Sequence, residues 1–241
     1  MSLVDSILNL AALLLWLNWR SVRLDPMSKA VPATLPGTLR RAVPKRLGRW
    51  HFLAALFALM LVRAWFYWQI GAAVNWAARL NLGVISISFR SDFLDRMLLF
   101  SVVSFGVTLA VFYLWLLYFS AVNARTTGDP FQKLVRLMLG RLDRWPCWIK
   151  LLLPLIIATI CWLGLSLLLA HMGLVPTGIP LVAQLGQGAL IGLSAYLTWQ
   201  FLIATVLVLH LVNSYIYLGN HPLWNFINLT ARQTLRPLRK L

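Results

Sequence analysis

Arg63 stands inside the apolar run His51 to Trp76, in the stretch LMLVRAWFYW, twelve residues past His51. At ~1.5 Å per helical residue it lies about 18 Å from the start of that run, close to mid-bilayer. A guanidinium at that depth costs about 2.5–3.5 kcal/mol on insertion scales, so its presence needs a reason. One reason is a contact with an anion: a lipid headgroup, a cofactor carboxylate, or an Asp or Glu of a partner. The other is a snorkelling side chain, or a span shifted so that Arg63 sits shallower. No Asp lies in the middle of any apolar run, so no internal carboxylate offers itself. Tyr67, one turn away, and Trp65 are close enough for hydroxyl or cation–π contacts.

The other residue types that carry chemistry are sparse. Of the four histidines, His51, His171, His210 and His221, only His51, at the start of its run, and His210, near the end of its own, fall toward the same side of the membrane, where a haem would need two facing imidazoles. Local hydrogen bonding is the expected role, and no cofactor is expected. Cys147 and Cys161 would lie ~20 Å apart on a helix, too far for a disulfide. There is no metal-type Cys/His spacing, no phosphate-cradling glycine loop, no paired carboxylates in a run and no Ser/His/Asp order. A membrane enzyme acting on lipid phosphate would cluster acids around a metal, whereas Asp25, Asp129 and Asp143 are isolated. Leu151 to Ala231 holds no Lys, Arg, Asp or Glu over 81 positions, which argues against a proton relay or a charge-lined pore there. Gly186, Gly188, Gly192 and Ala195 make a small-residue face suited to close helix packing within the chain. The chain therefore reads as a non-enzyme without a metal.

These residues must be positioned by helices in a bilayer. The chain has 241 residues, 60% of them hydrophobic and 12% charged, and its mean hydropathy is +0.77. A soluble domain of this size needs far more charge to cover its surface. The expected fold class is an all-α membrane protein, a single helical domain over 1–241. Five apolar runs are long enough to span: Leu3–Trp19, His51–Trp76, Met97–Val122, Leu151–Ala170 and Gly186–Val212. The first starts with Asp5 and ends in NWRSVR, unlike a signal peptide, so it is expected to stay as an anchor.

Charge sets the orientation. The net charge is +16, from 22 Lys and Arg against six acids, all Asp. Eight of the cations lie in 20–50, six in 121–150 and four in the tail, so 18 of 22 fall on one side of a five-span topology. The opposite loops hold Arg79, Arg90, Arg96, Asp92 and Asp95, and nothing charged between His171 and Leu185. The expected arrangement is a multi-pass protein of the bacterial inner membrane, N-terminus outside and C-terminus cytoplasmic. Tryptophans at run ends, such as Trp19, Trp50, Trp76 and Trp148, suit an aromatic belt. The basic balance then means anionic membrane lipid as a partner rather than nucleic acid.

The three basic segments resemble each other. Asp25-Pro26, Asp129-Pro130 and His221-Pro222 open them, and LRRAVPKR, RLDRWP and LRPLRK close them. Repeat units are expected over about 3–92, 93–185 and 186–241. After Asp129, Phe131, Leu134, Val135, Met138, Leu142 and Trp145 recur at helical spacing, with Lys133, Arg136, Arg141 and Arg144 on the other face. That pattern suits a basic amphipathic helix lying in the headgroup plane, against the plainer alternative of a polar loop. The tail repeats it. Trp224, Ile227, Ala231 and Leu235 are expected to face the acyl boundary, Arg232, Arg236, Arg239 and Lys240 to meet anionic lipid, and Pro237 to stop the helix.

These units resemble the YggT family, including its YlmG-like plastid and Gram-positive relatives. Ser214-Tyr215 is similar to the family's Ser-aromatic pair and His221-Pro222 to its X-Pro. Thr230-Ala231 is similar to its Thr-Glu, with Ala for Glu, and Leu235 to Lys240 to its closing Leu-X-Pro-hydrophobic-Arg-Arg stretch. Asp25-Pro26 and Asp129-Pro130 fit the same frame, and NLGVISIS is similar to the glycine-containing outer loop. The resemblance implies an inner-membrane protein without known catalysis, linked to osmotic and ion homeostasis, to division-gene neighbourhoods and, in plastids, to cytochrome maturation. The leading expectation is a non-enzymatic factor that supports membrane-complex assembly, organisation or homeostasis. The alternatives are a transporter or channel component, or a structural subunit whose Arg63 meets another membrane protein's acid.

Overall fold

The structure, a computed structural model, describes residues 3–21, 48–74, 76–123, 130–176, 178–216 and 222–236. Among these residues are α1 (Leu3–Ser21), α2 (Arg49–Val74), β1 (Ala77–Asn81), β2 (Ser86–Arg90), α3 (Leu94–Val122) and α4 (Pro130–Leu139). A 3-10 turn (Gly140–Arg144), α5 (Cys147–His171), α6 (Leu181–Tyr215) and α7 (Pro222–Leu235) follow. Each apolar run falls on a helix. Among the described residues four helices are long and apolar enough to cross a membrane: α2 over Arg49–Gly71, α3, α5 and α6. α1 is not among them; Asp5, Asn9 and Asn18 lower its hydropathy. In α5 and α6 only 11% of the apolar window is buried in protein. Their remaining surface suits hydrocarbon rather than water.

The chain divides into two compact units, Met1–Leu80 with Ser88–Thr108, and Asn81–Ile87 with Leu109–Leu241. In the first, Asp5, Asn9 and Ala12 form the buried stripe of α1 at spacings of four and three, one helix face. Ala12 packs on Leu56 and Met60 of α2, with Trp16 and Phe105 against them.

Residues 77–90, expected as plain outer loop, form a two-stranded hairpin. Its cause is a period-two pattern: Ala78, Leu80, Ile87 and Phe89 are buried and their neighbours are not. Gly83, at φ +83°, makes the turn. A Cβ there would come within 2.1 Å of Ser194 Oγ on α6, so the position also needs the missing side chain.

In the second unit α5 and α6 pack closely. A Cβ on Gly188 or Gly192 would lie 2.9 Å from the Cα of Thr159 or Leu155, whereas Gly186 faces open space. The small-residue face is thus used within the chain at Gly188 and Gly192. The amphipathic segment after Asp129 is helical, but not through to Trp145. Gly140 adopts φ +59°, which ends α4 at Leu139, and a 3-10 turn follows. Val135 and Met138 are buried within protein, while Leu134 and Trp145, expected on the same apolar face, are exposed.

α7 corrects one expectation about its face. Ile227 and Ala231 are buried, but against Tyr118, Leu202 and Val206 of the same unit. Protein therefore covers the stripe expected at the acyl boundary, and the buried set is completed by Phe226 and Thr230 rather than Trp224 and Leu235. Pro222 is the first residue of α7, and the helix ends at Leu235, ahead of the proline at 237. Asp25, Pro26, Asp129, His221, Pro237, Arg239 and Lys240 lie outside the described residues, as does the first basic segment from 22 to 47. Pro130 opens α4.

Candidate functional site

Arg63 is 3% exposed and sits in a polar cluster of the first unit. α1 supplies Asp5 and Asn9, four residues apart and so on one face; α2 supplies Arg63 and Tyr67 by the same spacing. α3 supplies Ser104. Arg63 Nη2 donates to Asp5 Oδ1 at 2.8 Å and to Ser104 Oγ at 3.2 Å, and Nη1 donates to Asn9 Oδ1 at 2.7 Å. Asn9 Nδ2 donates to Ser104 Oγ at 3.0 Å. Tyr67 Oη donates to Asp5 Oδ1 at 2.5 Å. The guanidinium carbon lies 5.5 Å from the Tyr67 ring centre and 5.4 Å from that of Phe100.

This geometry answers the question Arg63 raised. The side chains of the ion pair are 1% and 6% exposed, so snorkelling does not describe it. Its carboxylate comes from Asp5 of the same chain, which the sequence did not pair with it. The signal was present as VDSILNL, where Asp5 and Asn9 share one face of the first run. It was masked because Asp5 stands near the beginning of a short run, whereas Arg63 stands mid-run. The expected hydroxyl contact of Tyr67 is made through Asp5, and its ring faces the guanidinium; Trp65 points outward, 52% exposed. A buried charge network whose donors and acceptors meet one another holds helices together. Among its polar atoms Arg63 Nε alone is buried without a partner.

A second charged cluster lies in the other unit. Ser120 Oγ, at the end of α3, donates to Asp143 Oδ1 at 2.5 Å and accepts from Lys150 Nζ at 2.8 Å. Lys150 and Arg136 each approach the Asp143 carboxylate to 3.6 Å. Ser120 is 3% exposed, which shields its hydroxyl from any substrate. Nearby, Asn123 Nδ2 donates to Thr230 Oγ1 at 2.9 Å, Tyr118 and Thr234 share a hydrogen bond of 3.0 Å, and Gln132 Nε2 donates to the Asn123 carbonyl. Phe226 meets Phe119 edge-to-face and Phe131 at a tilt. These contacts bind α4 and α7 to the end of α3. The remaining basic residues of these segments that the structure describes, Lys133, Arg141, Arg144, Arg232 and Arg236, are exposed.

Of the two histidines considered for a haem, His51 bonds locally and His210 bonds across to α7. His51 Nδ1 lies 3.2 Å from the Gly48 carbonyl, and His210 Nδ1 lies 2.7 Å from Asn228 Oδ1. Among the described residues no group of three His, Cys, Asp or Glu is arranged to hold a metal. Cys147 and Cys161 are free and exposed. No family model, curated protein or solved structure matches the chain.

Proposed function

We propose that this chain is a non-enzymatic membrane factor, YggT-like in its basic repeated segments, that supports complex assembly, organisation or ion and osmotic homeostasis at the bacterial inner membrane. The observation that carries this reading is the Arg63 cluster, in which the Asp5 carboxylate, the Asn9 amide and both Nη groups of Arg63 are engaged with one another and only the single N–H of Arg63 Nε is left over. A transport or catalytic site at that depth needs polar groups left over for a ligand.

The same cluster supports α1 as a fifth crossing. Asp5 and Asn9 lower its apolar character, but both contact Arg63, fourteen residues into α2 and ~21 Å along it. An isolated Asp would resist insertion; one that neutralises a neighbour's Arg does so far less. With five crossings, 18 of 22 cations fall on the cytoplasmic side, with the N-terminus outside and the C-terminus inside. α4 and α7 then lie at the cytoplasmic headgroups, their exposed cations toward anionic lipid. Exposed apolar surface on α2, including Phe57, Leu61 and Trp65, is available to lipid or to another membrane protein.

Reconstitution tests the reading. Liposomes carrying the purified chain should pass potassium, sodium and protons no faster than empty liposomes. Isolation in native lipid discs should retain a membrane protein at fixed stoichiometry. A saturable flux that Arg63→Leu abolishes would replace the factor with a transporter.

A further inference from the structure

We infer that α7 carries a discrete site for the phosphate of an anionic phospholipid headgroup; this deepens the lipid-partner reading above and rests on it. A depression of about 350 Å³ is lined by Asn225, Asn228, Leu229, Arg232 and Gln233. Their spacing of three, four, seven and eight residues puts them on one side of the helix. That side is turned from the one that buries Phe226, Ile227, Thr230 and Ala231.

The chemistry is that of a phosphodiester. Arg232 offers a guanidinium fork suited to two phosphate oxygens. Asn225, Asn228 and Gln233 offer amide N–H groups for the remaining oxygens or for headgroup hydroxyls. Asn228 is held in place from behind. Its Oδ1 accepts from His210 Nδ1 at 2.7 Å, which leaves its amide nitrogen to donate elsewhere.

Charge decides that the occupant is an anion. Asp143 is the sole carboxylate among the described residues of this unit, and Arg136 and Lys150 already flank it. Arg232 has no carboxylate partner among the described residues, and the depression holds no other charge. A lipid is favoured over free phosphate by the place at the headgroups proposed above for α7, and Leu229 in the lining gives the start of an acyl chain an apolar neighbour that inorganic phosphate would not use.

The full chain in neutral detergent should be titrated with phosphatidylglycerol, phosphatidylcholine and inorganic phosphate, with bound molecules counted by native mass spectrometry. Phosphatidylglycerol should saturate one tight position in preference to phosphatidylcholine. Arg232→Gln should weaken that position about tenfold, the effect of losing a charge-assisted pair. Arg141→Gln should weaken it less than about twofold, because an exposed charge elsewhere is screened. Equal losses from Arg141→Gln and Arg232→Gln would overturn the site and leave general attraction to anionic lipid standing. Selectivity for phosphatidylglycerol that Arg232→Gln leaves intact would also overturn it. Inorganic phosphate binding as tightly as the lipid would assign the depression to a soluble anion instead.

Discussion

The two charged clusters differ in how they neutralise a cation. Around Arg63 the carboxylate is in direct contact at 2.8 Å, with side chains 1% and 6% exposed. Around Lys150 the carboxylate stands 3.6 Å away, Ser120 bridges the two, and Asp143 keeps 21% of its side chain exposed. The first cluster joins α1, α2 and α3. The second joins the end of α3, the 3-10 turn and the first turn of α5. A cation with a side chain 1% exposed cannot borrow water, so protein partners must meet its charge, and of its nitrogens only Nε lacks one. One at a helix end can share its counter-ion with a second cation and with solvent. The contrast separates a buried lock between helices from a partly exposed joint at helix ends.

Breaking the lock should have the largest effect. Arg63→Leu leaves Asp5 buried without its cation, and Asp5→Leu leaves Arg63 without its anion. Each should lower stability by about 3–5 kcal/mol, measured by reversible unfolding in mixed detergent. The neutral part of the lock should matter less. Asn9→Leu removes the acceptor of Arg63 Nη1 and should cost about 1–3 kcal/mol in the same assay. At the joint, Asp143→Asn should cost about 1–2 kcal/mol, because Ser120 still accepts from Lys150 and water can reach the site. The smallest effect sharpens the comparison from outside both clusters. Arg90 and Asp92 pair at 3.2 Å with side chains 73% and 39% exposed. Arg90→Gln should change stability by about 0.5 kcal/mol or less, and salt should erase the difference.

The same contrast explains what could be read in advance. Apolar runs announced the helices, because burying a backbone in hydrocarbon demands long uninterrupted stretches. The helix after Asp129 was legible in its spacing, but Leu134 and Trp145, assigned to its apolar face, are exposed. Gly140 did not announce itself as the end of α4, since a glycine inside a periodic pattern is often tolerated. The hairpin was hidden because Ala78, Leu80, Ile87 and Phe89 form two short alternations on either side of a turn. Arg63 was legible as a residue in need of a partner. Asp5 was not legible as that partner, because the pairing depends on the register of α1 against α2, which neither run states. The face of α7 was legible in its spacing, but not in what covers it. Spacing cannot distinguish acyl chains from Leu202 and Val206, since both are apolar.

The register of α1 against α2 is the central claim, and a double-mutant cycle between Asp5 and Arg63 tests it most directly. Stability would be measured for the parent chain, Asp5→Leu, Arg63→Leu and the double variant. The structure requires the double variant to recover much of what either single change loses, with a coupling of about 2–3 kcal/mol. Losses that simply add, with coupling near zero, would show that Asp5 and Arg63 do not meet and would remove the lock from the account.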